Sequence, residues 1–128
     1  MTIEVTRLFG DAHGETHLAN VTLPTRESES ATGLSRIEIP TTTAIFVEYL
    51  DDFPDHGLHC APRRQLVQCL QGAFEVTTTS GESKLFRSGE WMLADDLDSK
   101  GHLTRGVGNE QRINLAIGIA DEWELPSV

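Results

Sequence analysis

Two histidines, two arginines and a short acidic run are the side chains here best suited to chemistry. His59 lies in the stretch Gly57-Leu58-His59-Cys60-Ala61-Pro62-Arg63-Arg64-Gln65, and His102 follows Lys100-Gly101. Imidazole changes charge near working pH, so each ring can serve as general acid or base, or ligate a metal. The plainer alternative for His102 is a hydrogen-bonded histidine at a strand start. Gly101 before it lets the backbone turn or approach a neighbour closely. A guanidinium from Arg63 or Arg64 beside two imidazoles would favour an anionic substrate, such as a carboxylate or an enolate, through paired hydrogen bonds. Against that stands simple salt bridging, because the chain holds 20 Asp and Glu. Asp95, Asp96 and Asp98 read first as a turn built on side-chain to backbone hydrogen bonds. Their second reading is a carboxylate that orients an imidazole through its other ring nitrogen. Cys69 reads as a small core residue. Cys60 reads as an ordinary free cysteine, since a reactive thiol beside His59 needs a positive, accessible setting. His13 and His17 read as surface residues.

The elements that must position these groups are strands. Helical periodicity is nearly absent, and short period-two runs recur between Gly, Asp, Ser and Pro. Strands are predicted at Ile3–Phe9, Thr16–Thr22, Arg36–Ile39, Thr43–Leu50, Gln65–Gln71, Ala73–Thr79, Ser83–Phe86, Glu90–Leu93, His102–Val107 and Arg112–Ile119. Gln71-Gly72 joins two of them with almost no loop, and Ser80-Gly81 and Ser88-Gly89 mark turns. Pro24–Gly33 reads as a polar surface loop. In the last strand Ile113, Leu115, Ile117 and Ile119 form one face, while Asn114, Ala116, Gly118 and Ala120 form a small one able to lie against a neighbouring surface. His59, Ala61, Arg63, Gln65, Val67 and Cys69 share a parity, so Arg63 is the inward arginine if the register holds. The Pro62 kink leaves Arg64 as the alternative. Trp91 and Phe46 are candidate walls of a substrate pocket. Many short antiparallel strands imply a sandwich or a closed barrel, and a small barrel has room for one ligand at its mouth.

Composition sets the outer limits. The chain has 128 residues, one domain's worth, with 38% hydrophobic and 23% charged residues, as in a folded globular protein. Its net charge of −10 opposes nonspecific binding to nucleic acid or to anionic membranes. No apolar run is long enough to span a bilayer, and the N-terminus lacks a signal peptide's apolar core, so a cytoplasmic location is predicted. With only two cysteines and no export signal, a disulfide framework is not expected. No phosphate loop, nucleophile elbow or zinc-finger spacing is present.

The stretch from Pro54 to Val107 resembles the cupin superfamily of small β-barrels. Its first motif, G-x5-H-x-H-x(3,4)-E-x6-G, closes on Gly72, with His59 and Ala61 at the two His positions and Gln65 at the Glu position. The second, broadly G-x5-P-x-G-x2-H-x3-N, begins at Gly89 and, read with two extra residues, has its histidine at His102 and its final Asn position at Gly106. Ala61-Pro62-Arg63-Arg64-Gln65, with Ser99-Lys100-Gly101-His102 downstream, is similar to a pattern in a bacterial subset of cupins. The resemblance implies one cupin-type domain over 1–128, an all-β jelly roll (a double-stranded β-helix), and a homodimer. It also implies a metal set of His59, Gln65 and His102 for Fe, Mn, Ni or Zn, weakened because Gln brings no charge to the ion. His56 is the available third imidazole, off the strand's alternation.

Taken together, these features predict a small-molecule enzyme acting on an anionic or carbonyl-bearing metabolite. Arg63 would anchor an anionic oxygen, His59 and His102 would move a proton, and Gln65 would hydrogen-bond a developing enolate. The reaction would be an isomerisation, cyclisation or elimination. The alternatives are a metal-dependent cupin oxygenase and a non-catalytic ligand sensor. On the catalytic reading, His102→Ala is expected to abolish turnover and leave the melting temperature nearly unchanged.

Overall fold

The computed structural model describes residues 2–27, 32–50, 53–54 and 57–126, and among these there are eleven strands and no helix. The strands are β1 (Thr2–Gly10), β2 (Thr16–Pro24), β3 (Arg26–Glu27), β4 (Ser35–Arg36), β5 (Thr41–Glu48) and β6 (Gln65–Gln71). They continue as β7 (Ala73–Thr78), β8 (Ser83–Arg87), β9 (Trp91–Asp95), β10 (His102–Gly106) and β11 (Ile113–Ile119). The all-β class read from the alternation is what forms. Two details differ. Arg26–Glu27, inside the segment expected to be loop, pairs with Ser35–Arg36 as a short ribbon, and of the strand expected over Arg36–Ile39 only Arg36 is in a strand. The rest of that segment, Ile37 and Ile39, packs as a cover on the sheet behind it.

A six-stranded sheet has the order β2-β1-β9-β6-β11-β5, and a three-stranded sheet the order β10-β7-β8. Every neighbouring pair is antiparallel except β1 with β9, which run parallel. The chain passes from the first sheet to the second at Gly72, between β6 and β7. Its φ of +77° suits glycine, and a Cβ there would lie 3.1 Å from the Arg112 Cα. The abrupt Gln71-Gly72 connection is therefore a corner between layers.

Two apolar clusters hold the layers. Leu8, Val67, Cys69, Met92, Ala94 and Ala116 from the larger sheet meet Phe74, Val76 and Phe86 from the smaller one. Phe74 and Phe86 stack with ring centroids 5.1 Å apart. On the far face of the larger sheet, Val5, Val21, Leu23, Leu66, Leu93 and Ile119 are covered by Ile37, Ile39, Trp123 and Leu125. Successive residues alternate between the clusters, Leu66 against Val67 and Met92 against Leu93, because strand side chains point to opposite faces. Among the described residues no continuous ladder closes the two sheets into a barrel. The layers face each other, and an isolated bridge between His59 and His102 links them at one end.

Candidate functional site

That bridge is the centre of the site. His59 N–H donates to the His102 carbonyl at 3.1 Å, and His102 N–H donates to the His59 carbonyl at 2.9 Å. The imidazoles lie side by side, centroids 4.6 Å apart and planes inclined by 50°. Gly101 makes the approach possible. Its φ is +86°, and a Cβ on it would fall 2.6 Å from the His59 carbonyl carbon and oxygen. The close approach foreseen for this glycine is thus made to the other histidine.

Behind His102 lies Asp96, with no exposed surface at all. Its Oδ1 accepts the Ala61 N–H at 2.9 Å, and its Oδ2 lies 2.6 Å from His102 Nδ1. A carboxylate only accepts, so Nδ1 carries the hydrogen and the Nε2 lone pair is left for the cavity. The turn reading of the Asp95–Asp98 run is therefore incomplete. The Asp96 backbone carbonyl does close a turn by accepting Ser99 Oγ–H at 2.6 Å, but its side chain orients an imidazole. His59 is exposed, and its Nδ1 donates to the Gly57 carbonyl at 3.1 Å.

Both rings open on a cavity of about 280 Å³ between the sheets. Its walls are largely apolar, including Ile45 and Val47 from β5, Val67 from β6, Met92 from β9 and Phe74 from β7. Arg63 and Gln65 stand at one end, where Arg63 Nη1 donates to Gln65 Oε1 at 3.3 Å. Gly118 gives Arg63 room, since a Cβ there would sit 3.2 Å from Arg63 Cδ. At the other end of β11, Arg112 and Asn114 also line the cavity. The Arg112 guanidinium lies 3.4 Å above the centre of the Tyr49 ring and 5.4 Å from that of Phe74. In a chain of net charge −10, the described lining has two arginines, two histidines and no carboxylate. That lining favours an anion.

Arg112 and Asn114 were not singled out from the sequence, although the parity of β11 carried the signal. Asn114 and Ala116 lie on its small face, and that face lines the cavity because bulkier side chains would fill it. Three expected pocket residues lie elsewhere. Arg64 points away and binds Asp95 Oδ1 at 3.3 Å and the Asp121 carbonyl at 3.1 Å, so it ties down the C-terminal segment. Trp91 packs against the cluster on the far face, the strand parity opposite to Met92. Phe46 is 72% exposed for the same reason, being flanked by the cavity-facing Ile45 and Val47. His56 lies outside the described residues.

Away from the cavity, Cys60 donates its thiol to the Ser99 carbonyl at 3.1 Å, and burial pushes the Cys69 thiol above its ordinary pKa. His13 is exposed and His17 half-buried. His17 Nε2 lies 2.7 Å from Asp11 Oδ2; that hydrogen bond raises the His17 pKa and lowers that of Asp11.

The expected metal set does not fit a divalent cation. Gln65 Oε1 already accepts from the cationic Arg63, and Asp96 is committed to Ala61 and His102. Among the described residues no three His, Cys, Asp or Glu side chains converge. Two imidazoles and an amide beside a guanidinium are a poor donor set for Fe, Mn, Ni or Zn. Among the same residues no helix is long and apolar enough to cross a membrane. No protein-family model matches the chain, and no curated protein matches it.

Proposed function

We propose that the chain is a cupin-like, double-stranded β-helix enzyme that moves a proton on an anionic or carbonyl-bearing metabolite held between its sheets. The observation that carries this reading is the imidazole pair, centroids 4.6 Å apart, at a cavity whose described lining is cationic and holds no carboxylate. The corner at Gly72 and the strand rhythm that follows it support the cupin likeness. Arg63, at its end of the cavity, anchors an anionic oxygen of the substrate. His102 Nε2, held in position by Asp96, takes a proton from the carbon next to a carbonyl, and the electron pair moves onto the carbonyl oxygen. The Gln65 amide N–H donates to that developing enolate, since its Oε1 is occupied by Arg63. His59, exposed and able to exchange protons with water, returns a proton as imidazolium to the substrate. The cost of desolvating the substrate's anion is offset by paired hydrogen bonds in a site with few competing acceptors.

The homodimer belongs to the same proposal. β5 is an edge strand, and Phe46 is 72% exposed on its outer face, a combination that proteins commonly cover.

Deuterium exchange tests the catalytic reading directly. The protein is incubated in D2O with a panel of small 2-oxo and 2-hydroxy acids, and carbon-bound deuterium is read by mass spectrometry. Enzyme-dependent exchange lost in His59→Gln supports the reading. Tight binding of an acid without exchange at any carbon favours a ligand sensor instead. Stoichiometric bound metal in protein purified without chelators, with exchange lost on its removal, overturns the metal-free scheme.

A further inference from the structure

We infer that the Arg112–Asn114 end of the cavity is a recognition subsite for a carboxylate bearing a hydrogen-bond donor on the adjacent carbon, as in a 2-hydroxy acid. This rests on the reading that the cavity takes an anionic metabolite, and it names the class. Arg112 is 8% exposed, its Nε is buried without a hydrogen-bond partner, and among the described residues no acidic side chain pairs with it. Asn114 is 4% exposed, and its Oδ1 is likewise buried and unpartnered. Buried polar atoms are nearly always satisfied, so a charged donor and a neutral acceptor left open together point to a missing partner. Arg112 immediately precedes β11 and Asn114 is the strand's second residue, so the two are two positions apart, about 6.6 Å along extended chain. Tyr49 and Phe74 lie against the guanidinium as cation–π neighbours and offer it no hydrogen-bonding oxygen. Arg7 shows the contrast. Its Nε is also unpartnered, but its Nη groups are taken by Asp95 and the Pro126 carbonyl, so its charge is already met. Arg112 also borders a neighbouring groove, but it shares the lining of the main cavity with Asn114.

The carboxylate meets Arg112, and its neighbouring hydroxyl donates to Asn114. A 2-oxo acid offers Asn114 Oδ1 no hydrogen, and a plain fatty acid offers it nothing. The apolar walls suit a short aliphatic tail. A matched series isolates the claim: hexanoate, 2-hydroxyhexanoate and 2-oxohexanoate, titrated calorimetrically into the intact protein. The 2-hydroxy acid is expected to bind at least about tenfold more tightly than the other two. Asn114→Ala should remove that preference and leave the hexanoate affinity in place. Arg112→Gln should remove binding of all three. If that variant fails to fold, Arg112→Lys should weaken all three about tenfold or more while keeping their ratio, because an ammonium cannot pair with both oxygens. Equal affinity for the three acids, or a preference that survives Asn114→Ala, overturns the subsite. Binding that depends on Arg63 and survives Arg112→Gln overturns the subsite too, while leaving the anionic cavity intact. No binding of any of the acids to the unaltered protein overturns both readings.

Discussion

Replacing Asp96 by Asn removes a carboxylate from behind His102 and changes almost nothing in shape. In the native chain Oδ2 lies 2.6 Å from Nδ1 and Oδ1 accepts the Ala61 N–H, with both side chains buried. Asn can keep the Ala61 bond only by turning its amide N–H toward Nδ1, which must then accept. The ring proton moves to Nε2, and the lone pair facing the cavity is lost. A charge-assisted hydrogen bond becomes a neutral one, a net loss of about 1 kcal/mol. For a chain of this size that lowers the melting temperature by about 4 °C. Deuterium exchange should fall about a thousandfold or more, the penalty of a wrong tautomer. Nitrogen-15 NMR of the imidazole ring reads the tautomer with no substrate present: Nδ1–H in the native chain, Nε2–H in the variant. A native His102 already protonated on Nε2, or a tautomer unchanged by Asp96→Asn, would refute the reasoning. His102→Ala is a poorer test than the sequence suggested. It strands a fully buried carboxylate, which costs about 3–5 kcal/mol, so a large drop in melting temperature is now expected.

Other consequences are independent of the substrate. Gly101→Ala forces a side chain into a backbone at φ +86° and 2.6 Å from the His59 carbonyl. Left-handed strain plus two disrupted backbone hydrogen bonds should cost about 3 kcal/mol, measured by urea unfolding; a loss within error would mean the bridge does not form. The His17–Asp11 pair makes stability pH-dependent. His17 has a raised pKa, so its contribution is full below the ordinary imidazole range and fades as pH rises through the raised value. Asp11 has a lowered pKa, so its share is lost only as strong acid protonates it. The melting-temperature advantage of the native chain over His17→Gln should therefore shrink as pH rises from below the ordinary imidazole range through the raised value, and a constant difference would contradict the pairing. Finally, a thiol reagent should label at most Cys60 in the folded protein, because Cys69 is wholly buried and burial raises its pKa. Two fast-reacting thiols before unfolding would show that the core around Cys69 opens.

Much of the fold was legible because it is written in local, short-range terms. Period-two alternation marks a strand wherever side chains must face opposite ways, and β6 begins and ends where that pattern does, at Gln65 and Gln71. Gly72 and Gly101 announced tight backbone, since only glycine tolerates both the positive φ and the close contact. The shared parity of His59, Arg63 and Gln65 was visible as well, and all three line the cavity.

What the sequence could not determine is which of a strand's two faces meets which neighbour. The isoleucine face of β11 is the more apolar and looks like the core. Yet Ile113, Leu115 and Ile117 are only half-buried, while Asn114, Ala116 and Gly118 are buried, and the small face lines the cavity because an opening needs small residues beside it. For the same reason Arg112 and Asn114 look unremarkable in the chain and distinctive in the fold. Asp96 carries a turn signal that is true of its backbone and silent about its carboxylate, whose role depends on His102 arriving from the other sheet. Trp91 and Phe46 fell outside the pocket by one residue of register, the smallest slip that exchanges faces. Alternation is a property of neighbours along the chain. A site is a property of groups that only sheet packing brings within hydrogen-bonding distance.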